Sequence, residues 1–467
     1  MVTEEGPNLP LDLVERVMSR ALARGGDFTE LFAEARRSLS MRLEDGRVET
    51  VSSGEDRGAS VRLVRQDSTA FGYTEVLDEP ALLRLAEDLS AGAASAPRKT
   101  KPLARVEGAP RPHISQRPGD IAAARKADVL RTIDQAARDF SPEVRQVIAG
   151  YSESRQRVMI ANSRGILATD DRTRVVVSLT VVAQREGVIQ TGYETLAHHG
   201  GYDLIEEADL EAFARSAAEK AVVMLGAREA PAGRMPIVLA NGFGGVLFHE
   251  ACGHGLEADF ILKKTSIWEG RLGQRVAEEF VTAYDDAYTP GLWGSAAFDD
   301  EGTPSQKTAV VEEGILTAYL SDLLRGERLG APLTGNGRRQ SFRHLPYPRM
   351  TNTYFAPGDY SAADLIADTP RAFYAKSLSG GQVDPATGDF VFGVSEGYLI
   401  ENGRIGSPVK GATLIGNGAE VLRAVDAIAD DLDVKAGTCG KEGQGVPVGT
   451  GQPTLRLREL TVGGTSV

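Results

Sequence analysis

Cysteine and histidine are scarce in this chain of 467 residues, which contains two cysteines and six histidines. The two thiols, Cys252 and Cys439, are too few for the disulfide framework of a secreted protein, so each needs its own explanation. The chain also lacks a continuous apolar run of about 18 residues, the length that spans a membrane as a helix. Its N-terminal segment has no apolar core of the kind that secretory signals have, and we therefore expect a cytoplasmic location.

Positive charge is in deficit as well, because 52 lysines and arginines stand against 65 aspartates and glutamates, giving a formal net charge of −13. Proteins that bind a nucleic-acid backbone concentrate lysine and arginine on one surface. The composition therefore argues against direct nucleic-acid binding. A hydrophobic share of 42% fits a globular protein with substantial cores.

The length and the local patterns predict two domains. The first, residues 1–232, mixes amphipathic helical segments with strand-like runs and is predicted to be an α/β domain. The second, residues 233–467, consists mainly of alternating segments punctuated by glycine, which predict strands and turns. The run 246–260 is a helical interruption of that pattern. We expect an α+β protein whose C-terminal domain is mostly β and contains one functional helix.

Periodicity and turn residues place individual elements within these domains. Helices are predicted over 11–24, 78–90, 119–139 and 207–227, strands around 145–150, 155–162 and 173–187, and an irregular connection over 91–120. Hairpin turns are predicted at Glu44-Asp45-Gly46, at 312–314 and at 401–403.

One short segment concentrates residues that bind metals and transfer protons: His249-Glu250-Ala251-Cys252-Gly253-His254. Catalytic zinc usually has three protein ligands, often histidines, and it polarises a carbonyl group and acidifies water. A glutamate beside the first histidine can accept the proton of that water and pass it to a leaving amine. The segment therefore predicts a zinc-dependent peptidase in which Glu250 is the general base and acid.

The spacing of the two histidines is one residue longer than in the HExxH pattern of many metalloproteases. On a regular helix, side chains five residues apart point about 140° away from each other. Both histidines reach one ion only if the helix is distorted, for example by a π-bulge, which often occurs at functional sites. Gly253 lies within the segment, where a glycine eases a local change of backbone.

The third ligand has several candidates by residue type. Cys439 lies in the glycine-rich run GTCGKEGQGVPVG, and a thiolate is a good zinc ligand. Glu257 and Asp259 follow the second histidine closely, and Cys252 lies three residues after the first. For Cys252 the alternative interpretation is a small buried side chain of the core.

The sequence resembles the TldD/PmbA family of bacterial and archaeal metallopeptidases, also described as modulators of DNA gyrase. The resemblance covers nearly the whole chain and rests on FHEACGHGLEADF (248–260), WEGRLGQRVA (268–277), FDDEGTPSQ (298–306), TGNGRRQSFRHLPYPRMTNTY (334–354), GGQVDPATGDFVFGVSEGYLIENGRIG (380–406), GATLIGNG (411–418), GTCGKEGQGVPVGTGQPTLR (437–456) and TVGGT (461–465).

This resemblance implies one zinc ion per catalytic subunit, held by His249, His254 and Cys439, with Glu250 as general base and acid. The family has one type that keeps HExxxH and is the peptidase, and another that lacks it and is the partner. The chain resembles the first, TldD type. The resemblance implies a heterodimer with a TldE/PmbA-type subunit, a homodimer being the alternative, and a closed chamber that admits short or unfolded peptides.

Other residues are candidates for contact with a substrate. His344 and Tyr354 are candidates for stabilising an oxyanion. His198 and His199 lie in the segment 190–203, and we interpret them either as residues along a substrate path or as residues of a surface loop. The alternative function is a non-catalytic scaffold subunit that modulates a partner such as DNA gyrase, which would have no use for a glutamate beside two zinc ligands.

Overall fold

The computed structural model of the chain describes residues 6–7, 9–91 and 96–464. Residues 1–5, 8, 92–95 and 465–467, which include much of the N-terminal segment inspected for a signal and part of the predicted connection 91–120, lie outside the described residues. In the part of the chain that is described, no helix combines the length and the apolar character needed to cross a membrane.

A seven-stranded sheet forms the framework of the N-terminal half. Its strands in spatial order are Ser68–Thr74, Arg47–Arg65, Phe28–Glu44, Val144–Asn162 and Ile166–Arg185, and the last of these also pairs with Val188–His199 and, in parallel, with Ala104–Arg105. The predicted strands 145–150 and 155–162 are one continuous strand. Polar residues interrupt its apolar pattern without ending it, because they pair across the sheet, as Arg155 does with Asp171.

Helices pack on this sheet in two pairs. The first pair is Leu11–Ala21 with Glu79–Ala91, and the second is Ala123–Phe140 with Leu210–Leu225; a short helix, Asp203–Glu207, and a 3-10 turn, Pro118–Asp120, lie near the second. The four predicted helices are therefore confirmed, with ends that differ by a few residues. Asp209 caps the helix that follows it by accepting a hydrogen bond from the N–H of Ala212.

Five strands of the C-terminal half close into a ring. The ring closes because Arg371–Val383 pairs with Gly233–Leu239 on one side and with Asp389–Glu401 on the other. The ring consists of Arg371–Val383, Gly233–Leu239, Leu455–Gly463, Thr413–Asn417 and Asp389–Glu401, and it is extended by Arg404–Lys410, Arg228–Glu229 and Val425–Ile428.

A six-stranded sheet lies beside the ring, and its strands in order are Ile315–Leu316, Lys307–Glu312, Ala283–Asp286, Asn352–Phe355, Gln444–Gln452 and Asp433–Lys441. The strands Gly337–Arg338 and Tyr347–Pro348 pair separately, and the short helices are Val246–Phe248, Ala258–Leu262, Leu323–Leu329, Ala362–Ala367 and Gly418–Ala424. One cluster of buried apolar side chains joins the ring, the histidine segment and the six-stranded sheet. This architecture confirms the predicted α+β class with a mostly β C-terminal half.

The three predicted hairpin turns are present and share one backbone form. Asp45, Glu313 and Asn402 have φ of 47°, 48° and 51°, and each is followed by a glycine with positive φ. Two successive residues with positive φ are typical of the tight turn whose twist matches that of paired strands.

Buried ion pairs connect the two halves of the chain. Arg62 Nη2 donates hydrogen bonds to Glu30 at 2.8 Å and to Glu301 at 2.6 Å, and Arg339 donates to Glu30 as well. All four side chains are almost completely buried. Each carboxylate therefore faces a guanidinium across the contact between the halves.

Candidate metal centre

The histidine segment lies where the helix changes type. Residues Val246–Phe248 form an α-helical turn, His249–Gly253 a π-helical turn and His254–Leu256 a 3-10 turn. The N–H of His254 donates to the carbonyl of His249, five residues earlier. The wider turn places the two rings on one face, with centroids 5.2 Å apart and planes at 84°. The distortion predicted from the spacing is therefore present.

Gly253 serves this turn differently from our prediction. Its φ of −58° is an ordinary helical value, so the backbone there does not require a glycine. A Cβ atom at this position would instead collide with the sulfur of Met350. The glycine thus permits Met350 to pack closely against the histidine turn.

Three donor atoms converge beside this turn. His249, His254 and Cys439 each offer a ligand atom, and the three atoms lie within 4.8 Å of one another. The distance from Cys439 Sγ to His254 Nε2 is 3.5 Å. Zinc bonds of about 2.0 to 2.3 Å place tetrahedral ligand atoms roughly 3.5 Å apart, so the spacing fits that ion. The Nε2 atom of His249 is buried without a hydrogen-bond partner among the described residues, as expected for an atom reserved for a metal.

Sheet pairing brings Cys439 to the histidines from far along the chain. Its strand, Asp433–Lys441, forms a hairpin with Gln444–Gln452, in which Cys439 lies opposite Val446. The second strand of the hairpin also pairs with Asn352–Phe355. Three neighbouring strands thus form the wall against which the histidine turn packs.

The second nitrogen of each histidine is held by a neighbour. His249 Nδ1 lies 3.1 Å from Thr353 Oγ1, and His254 Nδ1 lies 3.2 Å from Glu257 Oε2. Lys441 Nζ donates to Glu257 at 2.8 Å. Such partners orient a ligand histidine and leave Nε2 as the atom that faces the metal.

Charges within the centre support one another. Burial alone raises the pKa of Glu257, but Lys441 and His254 outweigh it and lower that pKa to about 2. Burial opposes a charged His254, yet Glu257 raises its pKa well above the ordinary value. Burial likewise opposes ionisation of Cys439, while the neighbouring His249 and His254 lower its pKa to about 4. These shifts favour the ionised form of Cys439, which is the form in which a cysteine binds zinc.

Glu250 lies at the open side of the three donors. Its Oε2 atom is 3.7 Å from His254 Nε2, and its side chain is 26% exposed. The carboxylate can therefore reach both the metal-binding atoms and water, which is the position that a general base requires.

The other candidates for the third ligand have different partners. The Sγ atom of Cys252 lies 3.7 Å from the carbonyl of Gly418 within the apolar cluster, where burial raises its pKa. Glu257 and Asp259 both accept hydrogen bonds from Lys441. Only Cys439 among these candidates lies with both histidines in the group of donors found in the described chain.

The two oxyanion candidates have hydrogen-bond partners other than the three donors. Tyr354 follows Thr353 on a strand, so its side chain points to the opposite face, where its hydroxyl donates to Asp286 at 2.7 Å. The Nδ1 atom of His344 lies 2.9 Å from Ser341 Oγ. Within the described residues no hydrogen bond links either side chain to the donors, and their role stays a prediction.

The surface-loop interpretation of His198 and His199 is wrong. Most of the segment 190–203 belongs to the strand Val188–His199, because its residues continue the antiparallel pairing of the sheet. His199 is 3% exposed and lies opposite Arg174. Burial and the charge of Arg174 lower its pKa well below the ordinary value. A role of either histidine along a substrate path stays a prediction.

Two supporting residues were not found from the sequence. Lys441 had a weak signal, because it lies two residues after Cys439 and a strand places such residues on one face. Thr353 had none, since its partner His249 is 104 residues away.

Comparison with known proteins places the chain in a family. Models of the PmbA/TldA metallopeptidase domains match it three times, as domain 1 over 29–93, the central domain over 116–225 and the C-terminal domain over 232–464. The chain belongs to the PmbA/TldD metallopeptidase family. The resemblance seen in the sequence is thereby confirmed, whereas the predicted two-domain division at residue 232 stays a prediction.

Individual relatives support this membership. The metalloprotease TldD homolog of Haemophilus influenzae is 40% identical over 95% of this chain and 94% of its own length. The zinc metalloprotease TldD homolog of Saccharolobus solfataricus is 30% identical over 73% of this chain and 76% of its own. The crystal structure of TldE from Thermococcus kodakarensis has the same fold, with a TM-score of 0.76, 17% identity, and coverage of 97% of this chain and 100% of that one.

Proposed function

We propose that the chain is a zinc peptidase in which His249, His254 and Cys439 hold one zinc ion and Glu250 is the general base and acid. The convergence of three buried donor atoms on the π-helical turn is the observation that carries this proposal. The name of the Saccharolobus relative supports zinc as the metal. When bound, zinc in such a donor set is a Lewis acid that polarises a peptide carbonyl and acidifies water.

The other steps of the proposed reaction depend on side chains of the chain itself, each with its own role. Glu250 accepts a proton from the attacking water and returns it to the amine that leaves. Thr353 and Glu257 fix the two imidazole rings, so that the ligand atoms do not need to reorganise during the reaction. The thiolate of Cys439 adds a negative charge that moderates the acidity of the metal.

We further propose that the substrates are short or unfolded peptides, cleaved in a closed chamber formed with a homologous subunit that lacks HExxxH. The shared fold with TldE of Thermococcus kodakarensis and the HExxxH sequence of this chain support the pairing. Light scattering of the chain alone and co-expressed with such a homologue tests it. A stable complex that accelerates peptide cleavage is expected, and a chain that cleaves equally well as a monomer contradicts the chamber.

The mechanism is tested by Glu250→Gln, which keeps the shape of the side chain and removes its basicity. Cleavage of a fluorogenic peptide should fall by about 10² to 10⁴-fold. Zinc measured by elemental analysis should stay at the level of the unsubstituted protein, because Glu250 is not one of the three donors.

The matched control is Glu269→Gln, which changes an exposed glutamate that is not one of the three donors and should leave cleavage unchanged. Cleavage at the original rate by zinc-loaded Glu250→Gln would overturn the assigned role. Unsubstituted protein that neither binds zinc nor cleaves peptides would favour the scaffold function instead.

A further inference from the structure

A narrow pocket with a volume of about 30 Å³ lies between the two halves of the chain. Its walls include Gln156 from the N-terminal sheet, Phe298 from the C-terminal half, and Gly445 and Pro447 from the hairpin that contains Cys439. Pro447 pairs with the residue before Cys439, so it faces the opposite side of the hairpin from the metal centre. The pocket has room for one or two particles of the size of water.

Positive charge dominates the lining of this pocket, which contains Arg36, Arg172, Arg174, Arg338 and Arg339 against Asp299 and Asp300. Arg172 and Arg339 have buried carboxylate partners. Asp299 accepts hydrogen bonds from the backbone N–H groups of Glu301, Thr303 and Gly337 and forms no ion pair with the described arginines of the lining. The excess positive charge therefore resides on the other arginines.

Arg174 and Arg338 are buried guanidinium groups without an ion-pair partner among the described carboxylates; they are 5% and 8% exposed. Arg174 donates Nε and Nη2 to two backbone carbonyls, and its Nη1 has no hydrogen-bond partner in the described chain. Arg338 donates Nη1 and Nη2 to the carbonyls of Met350 and Pro447, and its Nε is likewise without a partner in the described ranges. Each residue thus keeps one guanidinium nitrogen whose N–H groups donate to no described group.

Burial without a counter-ion destabilises the charged form of both arginines, and the pKa of each is lowered accordingly. Burial lowers the pKa of Arg174 to about 9, and the neighbouring Arg172 and Arg338 lower it further in the same direction. Burial also lowers the pKa of Arg338 to about 10. A buried charge normally has a counter-ion, and a cavity lined by two such groups is a place for one.

We propose that this pocket binds one small monovalent anion of the size of chloride, held by the spare N–H donors of Arg174 and Arg338. Because Arg338 also donates to Pro447, the anion ties the hairpin that contains Cys439 to the N-terminal sheet. The anion stabilises the folded chain, and it does so independently of catalysis.

The test is thermal unfolding of the full chain at constant ionic strength, with sodium chloride replacing sodium gluconate, whose anion is too large for the pocket. The unfolding midpoint should rise with chloride and saturate, by on the order of 2 °C or more. Arg174→Gln should abolish this dependence. Arg185→Gln, on the same strand but exposed and paired with Glu143, should preserve it. A flat response of the unsubstituted chain, or an equal response of Arg174→Gln, overturns the proposal.

Crystallography of the unsubstituted chain tests whether an anion occupies the pocket, even if Arg174→Gln does not fold. Crystals grown in sodium bromide should show an anomalous peak within hydrogen-bond distance of both Arg174 and Arg338. Anomalous density that is absent from this pocket would overturn the proposal.

Discussion

Two buried polar clusters of this molecule differ in how their charges and their hydrogen-bonding atoms are arranged. In the network of Glu30, Arg62, Glu301 and Arg339, hydrogen-bond donors face acceptors and positive charge faces negative charge. In the metal centre, possible ligand atoms of two histidines and one cysteine lie within 4.8 Å of one another. The charges of the network are balanced by its own side chains, whereas we propose that the ligand atoms of the metal centre are balanced by a cation.

This difference separates a structural cluster from a functional one, although both are equally buried. A network of paired charges resists change and fixes how the two halves meet. A cluster of ligand atoms without partners of opposite charge can bind a ligand, which we propose is a metal ion. Substitutions in the two clusters should therefore affect different measurements: metal content and cleavage in one, and free energy of unfolding in the other.

The largest effect is expected for Cys439→Ala, which removes one of the three donors. Zinc content and peptide cleavage should both fall to background, while circular dichroism should show a folded chain. The matched control is Cys252→Ala, which removes the other thiol of the chain from the apolar cluster and should keep zinc. A full zinc content in purified Cys439→Ala would assign the third-ligand role to another group.

The converse change is Arg62→Met, which leaves Glu30 and Glu301 buried with less neutralising charge. Breaking such a buried pair costs about 3 to 5 kcal/mol in the free energy of unfolding, which urea denaturation measures. Zinc content of the folded protein should stay unchanged. Arg16→Met, which removes exposed ion pairs with Asp12 and Glu79, should cost less than about 1 kcal/mol. Equal losses in the two variants would contradict the distinction.

An intermediate effect is expected for Glu257→Gln, which weakens the charged support of His254. Zinc affinity should fall by about 10 to 100-fold, measured by competition with a chromophoric chelator. The loss has two causes, since the neutral amide orients the ring less firmly and leaves Lys441 without one of its carboxylates. An affinity equal to that of Glu269→Gln would show that the support of His254 contributes nothing to metal binding.

The sequence predicted those features of the site that depend on residues close together in the chain. The spacing of His249 and His254 required a distorted helix, and the π-helical turn supplies it. Turns such as Asn402-Gly403 were also predictable, because their backbone form selects for asparagine and glycine. Periodicity and turn preferences depend on a few neighbouring residues, so they can be recognised in the sequence without knowledge of the fold.

The remainder depends on pairing between distant segments. The residues alone could not choose between Cys439 and Cys252, because the choice is made by the hairpin that places one thiol 3.5 Å from His254 and by the core that encloses the other. The continuity of Val144–Asn162 was missed for the same reason, since its polar residues find partners on neighbouring strands. Closure of the C-terminal ring likewise follows from strand partners that no local pattern specifies.

The smallest effect is expected for Thr353→Val, which removes the hydroxyl that supports His249 and nearly preserves the volume of the side chain. This hydrogen bond joins a ring to a hydroxyl, whereas that of His254 joins a ring to a carboxylate. A typical hydrogen bond contributes about 1 kcal/mol, so zinc affinity should fall by about tenfold or less.

Tyr354→Phe is the matched control for this change, because it removes a hydroxyl from the next residue of the same strand, on the opposite face. It should leave zinc affinity unchanged. If Thr353→Val weakened zinc binding more than Glu257→Gln, the charge on Glu257 would not be the dominant support of the centre. The order expected from the hydrogen bonds would then be reversed, and orientation of the His249 ring would matter more than the charge beside His254.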